Sequence, residues 1–453
     1  MALSSIPSAS GPVRAPARTG LFARARRRVA VDRAAGLAIR VGGIAVIFGV
    51  AGIFAFLVFE IAPVLRPARV TLAESATVAG VAPAALLLDE YRTNDAALGA
   101  DGTVRVVRLS DGATIRQQTL APAFAAVAVD PEHSVLAGIS ADGVVQAAPV
   151  TFKISFDGQK RVVAPELGDL VRIELLSAPA PGAASPVIAG PLALRLDAGA
   201  TTAAVALADG GIALALRRVE SNAFSGESTE TVERRILATP THVTALAIDA
   251  RQRDLFAGTT DGQVLRFDLR GGDAPPEIFS AGSAGISALT LLIGGRTLVV
   301  GQRDGSLSSW FAVPQPSGGA RRFTRIRDWE RYPGSIARLA PSQRDRSFFA
   351  ASQDGTLGLQ HSTSGRTLWR EASPIGAASA LAFAPKGDGA ALAGSGKLAS
   401  LTVVSPHPEL SLASLFGKVW YKTPIARPTY GSRRAETTRS SRSSRWCRCW
   451  SAR

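Results

Sequence analysis

The chain is poor in the residues from which covalent and metal chemistry is built. It has two cysteines in 453 residues, and both, Cys447 and Cys449, fall within the last seven positions. The stretch before them therefore offers neither a disulfide framework nor a cysteine-based zinc site. Four histidines, His133, His242, His361 and His407, are scattered singly, without H-x-x-H or H-x-H spacing, so each reads as a loop or surface residue. No phosphate-cradling glycine loop, dinucleotide fingerprint or ordered Ser/His/Asp set is present. The expectation is a protein that is not an enzyme, with no catalytic residue, cofactor or metal.

Positive charge is also missing where it would count. The net charge of +15 comes from the two ends: residues 1–40 contribute +7 and residues 422–453 contribute +8. The body from 41 to 421 is neutral. A surface that binds nucleic acid needs clustered positive charge to displace counterions, and no net excess exists there. No nucleic-acid partner is expected.

One long apolar run is present. Val41–Phe59 is nineteen residues without a charge, and as a helix it would span roughly 28 Å, close to a hydrocarbon core of about 30 Å. Eight arginines precede it (Arg14, Arg18, Arg24, Arg26, Arg27, Arg28, Arg33 and Arg40). The positive-inside rule then holds the amino terminus in the cytoplasm and sends the chain after Glu60 across the membrane. A cleaved signal peptide has a shorter apolar region, about 7–15 residues, and a small-residue cleavage site. The run reads as an uncleaved anchor.

After the anchor, six Asp-Gly pairs recur in one setting: Asp101-Gly102, Asp142-Gly143, Asp209-Gly210, Asp261-Gly262, Asp304-Gly305 and Asp354-Gly355. A short apolar stretch rich in small residues precedes each, and an alternating stretch comes after it, as in 254–269, 297–313 and 347–362. Asp-Gly suits the two positive φ angles of a type I′ turn, so each pair is expected at the tip of a central hairpin. The small residues before the turns fit a crowded centre of converging strands. The marker glycines are 41, 67, 52, 43 and 50 residues apart, and a degenerate copy with Gly396 lies 41 residues after Gly355.

A strand–strand–Asp-Gly–strand–strand unit repeating at 40–50 residues is the pattern of a propeller blade. The fold class is therefore all-β, a seven-bladed (six to eight) WD40-like propeller over 70–405 preceded by one transmembrane helix over 41–60. Closure falls to 70–80 or to the segment after 400. The widest interval holds an extra hairpin, 152–163, and a Pro/Ala/Gly loop, 177–191, and reads as a decorated blade. Trp369, in a Gly…Trp stretch similar to quinoprotein docking motifs but occurring once, reads as a packing residue. Trp310 and Trp329 read as amphipathic aromatics on strands or their edges.

An anchor, a propeller and then HPELSLASLFGKVWY (407–421) resemble the amino-terminal part of the long-form phosphate ABC-transporter permease of Gram-negative bacteria. The resemblance covers about 1–421, and 415–421 is its most specific part. It implies an inner-membrane, single-pass arrangement with a basic cytoplasmic segment (1–40), a periplasmic propeller and a linker (406–421) toward a permease core. The partners it implies are a second permease subunit, ATPase subunits and a periplasmic phosphate-binding protein. Residues 422–453 depart from the family: Arg and Ser rise, apolar periodicity ends, and the tail reads as a basic, disordered product of a shifted reading frame. Truncated in this way, the chain is not expected to transport alone. The alternative is an envelope-anchored WD40-like scaffold for protein–protein interaction.

Overall fold

The computed structural model describes residues 19–61, 67–78, 82–158, 160–176, 186–197, 199–221, 228–272, 274–314 and 321–404. The segments 406–421 and 422–453, with His407 and both cysteines, lie outside the described residues, as does 177–185 of the Pro/Ala/Gly loop. Two units are distinct, one built on a helix and one on strands.

The helix α1 (Thr19–Ile61) begins well inside the basic leader, so the apolar run is the second half of a longer rod. Between Arg28 and Phe59 it is long and apolar enough to cross a membrane. Ile44, Ile47, Phe48, Ile53 and Phe54 are all exposed. A helix on a soluble core buries one stripe and presents polar residues elsewhere, whereas the 41–59 part of this one is apolar around its circumference and suits lipid.

The strands make seven sheets in chain order. The first strand, β1 (Arg69–Thr77), is held back for the last sheet. Blade 1 is β2 (Pro83–Leu88), β3 (Asn94–Gly99), β4 (Thr103–Arg108) and β5 (Thr114–Thr119). Blade 2 is β6 (Ala126–Asp130), β7 (Val135–Ile139), β8 (Val144–Asp157), β9 (Lys160–Leu167) and β10 (Val171–Glu174). Blade 3 is β11 (Ile188–Leu196), β12 (Ala200–Leu207), β13 (Ile212–Ser221) and β14 (Ser228–Leu237). Blade 4 is β15 (Val243–Ile248), β16 (Asp254–Thr259), β17 (Gln263–Asp268) and β18 (Glu277–Ser280). Blade 5 is β19 (Ile286–Leu291), β20 (Thr297–Gln302), β21 (Leu307–Val313) and β22 (Arg322–Trp329). Blade 6 is β23 (Ile336–Pro341), β24 (Ser347–Ser352), β25 (Thr356–His361) and β26 (Arg366–Ala372). Blade 7 is β27 (Ala380–Phe383), β28 (Gly389–Gly394) and β29 (Lys397–Val404), completed by β1, which pairs with β29 from Arg69 opposite Val404 to Thr77 opposite Lys397. Inner strands of successive blades pack on one another and β27 packs on β2, so the ring is closed.

Burial explains the composition of each strand. The second strands β3, β20, β24 and β28 are buried at every position, because a neighbouring blade covers each face. They read as continuous apolar or small-residue runs, not as alternations. Outermost strands such as β5 (TIRQQT) and β14 (STETVERRIL) are mostly exposed and correspondingly polar. A separate apolar cluster fills each junction between blades, for example Ile139, Val145, Leu192 and Val205 between blades 2 and 3. Trp310 and Trp329 are buried in the clusters on either side of blade 5, deeper than strand-edge aromatics, and Trp369 packs half-buried where blades 6 and 7 meet.

Two expectations about the repeat are corrected. None of the six turn aspartates has a positive φ; only the glycines do, from 71° at Gly102 to 92° at Gly210. Each glycine amide instead donates to the carbonyl three residues earlier, as Gly102 does to Gly99 (3.1 Å) and Gly355 to Ser352 (3.1 Å). This is a type I turn followed by a left-handed glycine, not a type I′ turn. Aspartate recurs because its carboxylate accepts from the amide two residues on: Thr103 to Asp101 (3.2 Å), Gly211 to Asp209 (2.9 Å), Ser306 to Asp304 (3.0 Å) and Thr356 to Asp354 (3.2 Å). The copy lacking the pair, Ser395-Gly396, has both φ angles positive, 50° and 71°.

The small residues before the turns are not at the centre either. They belong to second strands, and their size makes room for the next blade. A Cβ on Gly301 would lie 2.6 Å from Ile336 Cγ2, and one on Gly258 would collide with Ile286 in the same way.

Candidate functional site: the two faces of the ring

In each blade the second-to-third-strand turn lies at one end and the first-to-second-strand turn at the other. All six Asp-Gly pairs therefore fall on one face. Asp142, Asp209, Asp261 and Asp354 are exposed there, and Asp101 and Asp304 are half-buried in ion pairs with Arg105 (2.6 Å) and Arg331. The Thr259 hydroxyl beside Asp261 holds its carboxyl below the usual carboxylate range. Four carboxylates thus stand exposed on this face.

A cavity of about 630 Å³ opens on the same face, where the first residues of β11, β15, β19 and β23 converge. Gly190, Thr244, Ser287, Arg303, Ser335 and Gln353 give it its character. Two of its hydroxyls are already used between strands. Thr244 Oγ1 donates to Ile286 O (2.6 Å) and Ser287 Oγ donates to Gly301 O (3.3 Å). Deeper in the ring, Arg338 on β23 donates through Nε to Ser379 O (2.8 Å) and through Nη1 to Ala337 O (2.8 Å). It is water-accessible yet surrounded by protein, and burial pulls its pKa below the ordinary guanidinium value.

Among solved structures, the chain is similar to the β-propeller domain of Cps50 (Swd1) from Myceliophteria thermophila. The TM-score is 0.52 at 16% identity, covering 74% of this chain and 100% of that one. At that identity the likeness shows the fold alone. In all, 1557 solved chains match, so the architecture is too common to select a function. No protein-family model matches the chain, and no curated protein matches it.

The cavity presents one exposed cation, Arg303, with an amide and hydroxyls, and among the described residues no pair of carboxylates lines it. Proton transfer at a substrate needs such a pair or a comparable acid and base. Among the described residues no group of three His, Cys, Asp or Glu stands close enough to hold a metal. His133 Nδ1 lies 2.9 Å from Asp130, and His361 Nδ1 lies 2.9 Å from Ser364 Oγ, both within turns.

The opposite face carries aspartates that the repeat did not single out. Asp89, Asp130 and Asp249 each end a first strand and are buried. Asp249 accepts from the amides of Arg253 (2.6 Å) and Asp254 (2.9 Å), and Asp89 from that of Thr93 (2.7 Å). The signal was available as a carboxylate directly after an apolar strand, in LLLD, VAVD and LAID. Asp95 on β3 gave no such signal. It is fully buried, and burial, with the Asp89 carboxylate adding to it, pushes its pKa well above the ordinary value.

Proposed function

We propose that this chain is the anchor-and-propeller portion of a phosphate-import ABC permease, a recognition module and not a catalyst. α1 would be its first membrane span, with the arginine-rich leader in the cytoplasm and the propeller in the periplasm. The observation that carries the reading is the pairing of Arg69 with Val404. The propeller starts and finishes at adjacent positions on one edge of one blade, which is what a domain inserted between consecutive membrane spans requires. The family-like stretch 407–421 comes directly after it. One span cannot enclose a polar pathway, because backbone groups in lipid must be satisfied internally, so translocation belongs to further spans and to a second permease subunit. The ATPase subunits and a periplasmic phosphate-binding protein complete the assembly this reading implies.

The test is the nucleotide sequence beyond codon 421, translated in the other two frames. Several apolar spans of about twenty residues would support the permease and a shifted frame. Early stops in both frames would overturn it in favour of a self-sufficient envelope scaffold. That second reading draws on one feature: β1 and β29 close the ring between Arg69 and Val404. A reporter active only outside the cytoplasm, fused after Val404, should be active; silence would remove the periplasmic assignment.

A further inference from the structure

The ring has a polarity that the repeat alone does not reveal. β29 runs from the Asp-Gly face to the opposite face, and β1 runs antiparallel to it, so Arg69 lies at the opposite face. The hydrogen bond from Val403 N to Asp388 O (2.8 Å), within the first-to-second-strand turn of blade 7, fixes that assignment. Only the seven residues 62–68 separate α1 from β1. Fully extended, they reach about 25 Å.

The same face is built for a particular neighbour. The first-to-second-strand turns of blades 4, 5 and 6 carry five exposed arginines, Arg251, Arg253, Arg296, Arg344 and Arg346, against one exposed carboxylate, Asp345; Asp268 and Arg270, exposed in the next turn of blade 4, pair with each other. Among the described residues, Arg251, Arg253, Arg296 and Arg346 have no ion-pair partner. Ile293, between them, is 43% exposed. From blade 2, β8 runs past Pro149, its last pairing with β7, and forms with β9 a hairpin arm projecting beyond this face. At the arm's outer end Phe156 is 67% exposed, with Ile154 and Val162 exposed beside it. The arm is fixed and not free. Asn94 Nδ2 donates to Val163 O (3.3 Å), Arg116 Nη1 donates to Pro165 O (3.4 Å), and the Arg161 guanidinium stacks 3.9 Å over the Tyr91 ring.

We propose that this face rests on an anionic lipid surface, with Phe156 and Ile154 entering the interface and the arginines of blades 4 to 6 meeting headgroup phosphates. The inference deepens the proposed function and rests on α1 being a membrane anchor. Apolar side chains beside cationic ones, held close to a bilayer by a short tether, are what interfacial binding requires. The Asp-Gly face, with its cavity, is then turned away from the membrane and left open to soluble partners.

The full chain supplies the test. With Cys447 and Cys449 replaced by serine, Phe156→Cys carries an environment-sensitive fluorophore, and Asp261→Cys carries the same label as a control on the Asp-Gly face. In vesicles containing phosphatidylglycerol, emission from position 156 should shift to the blue and be quenched by headgroup nitroxide lipids, while position 261 reads water. High salt, or the triple change Arg251→Glu, Arg253→Glu, Arg296→Glu, should reverse the shift. A label at 156 that reads water while the chain floats with the vesicles would overturn the proposal. A blue shift equally strong in phosphatidylcholine alone, unaffected by salt, would overturn the role of the arginines. Failure of the chain to float would remove the anchor itself, a separate result that sinks both readings.

Discussion

Arg195 Nη1 lies 2.6 Å from Oδ1 of Asp130, a carboxylate wholly shut off from water, and the pair joins blade 3 to blade 2. Oδ2 of Asp130 accepts from the Leu196 amide (3.1 Å) and lies 2.9 Å from His133 Nδ1. A buried ion pair adds little net stability, because desolvating two charges offsets their attraction, but removing one partner strands the other. Asp130→Ala should therefore cost about 3–5 kcal/mol, and denaturant unfolding would measure it. Asp130→Leu combined with Arg195→Met should cost clearly less. Equal losses for the single and double variants would show that the pair does not act as a unit.

Gly301 and Ile336 mark how one blade is keyed into the next. A methyl on Gly301 would meet Ile336 at Cγ2 (2.6 Å) and Cβ (2.8 Å), at the junction of blades 5 and 6 that Ile336 helps to fill. Gly301→Ala should cost on the order of 1–3 kcal/mol through overpacking. Ile336→Ala in the same background should recover part of that loss, as a double-mutant cycle would register. Additive losses would show that the small residue is not there to admit the isoleucine.

These two residues also show what the sequence could and could not convey. The blade count, the decorated second blade and the central hairpins were legible, because six copies of one turn punctuate apolar runs at near-regular spacing. The turn type was not. Asp-Gly serves both a type I′ turn and a type I turn followed by a left-handed glycine, and only the backbone of Asp101 or Asp354 tells them apart. Nor was the role of Gly258 and Gly301 legible, since the isoleucines they accommodate lie in the next repeat. The arginines of the opposite face were hidden by a neutral total. Charge on a ring is sorted by which end of a strand a turn occupies, and a sum over the chain erases that.

Asp95 should make the propeller less stable as pH rises. Its folded-state pKa is raised, first by burial and then by Asp89, so the native state holds its proton more tightly than the unfolded chain does. Below the unfolded value, near 3.8, both states are protonated and nothing is lost. Above it the unfolded chain releases the proton first, and stability falls until the folded pKa is passed. Asp95→Asn removes the titration. Its melting temperature relative to the native chain should be higher at neutral pH, and the gain should shrink toward pH 4. A gain that is constant with pH would show that the carboxylate is not held neutral by its surroundings.

Tyr332, in the connection between blades 5 and 6, is 2% exposed, and its hydroxyl accepts from Gln360 Nε2 (2.9 Å). The Arg370 guanidinium stacks 4.3 Å over its ring, and burial pushes its pKa up to about 12, so it stays neutral across the working range. Tyr332→Phe keeps the ring and the stacking but leaves a buried amide without an acceptor. Among the described residues Gln360 Oε1 already lacks a partner, so the amide has no second bond to fall back on. The cost should be about 1–3 kcal/mol, the desolvation of one unpaired polar group. Adding Gln360→Met to Tyr332→Phe should return most of it, because an apolar pair needs no hydrogen bond. If the double variant unfolds at lower denaturant than Tyr332→Phe alone, the glutamine is held by packing and not by the phenol.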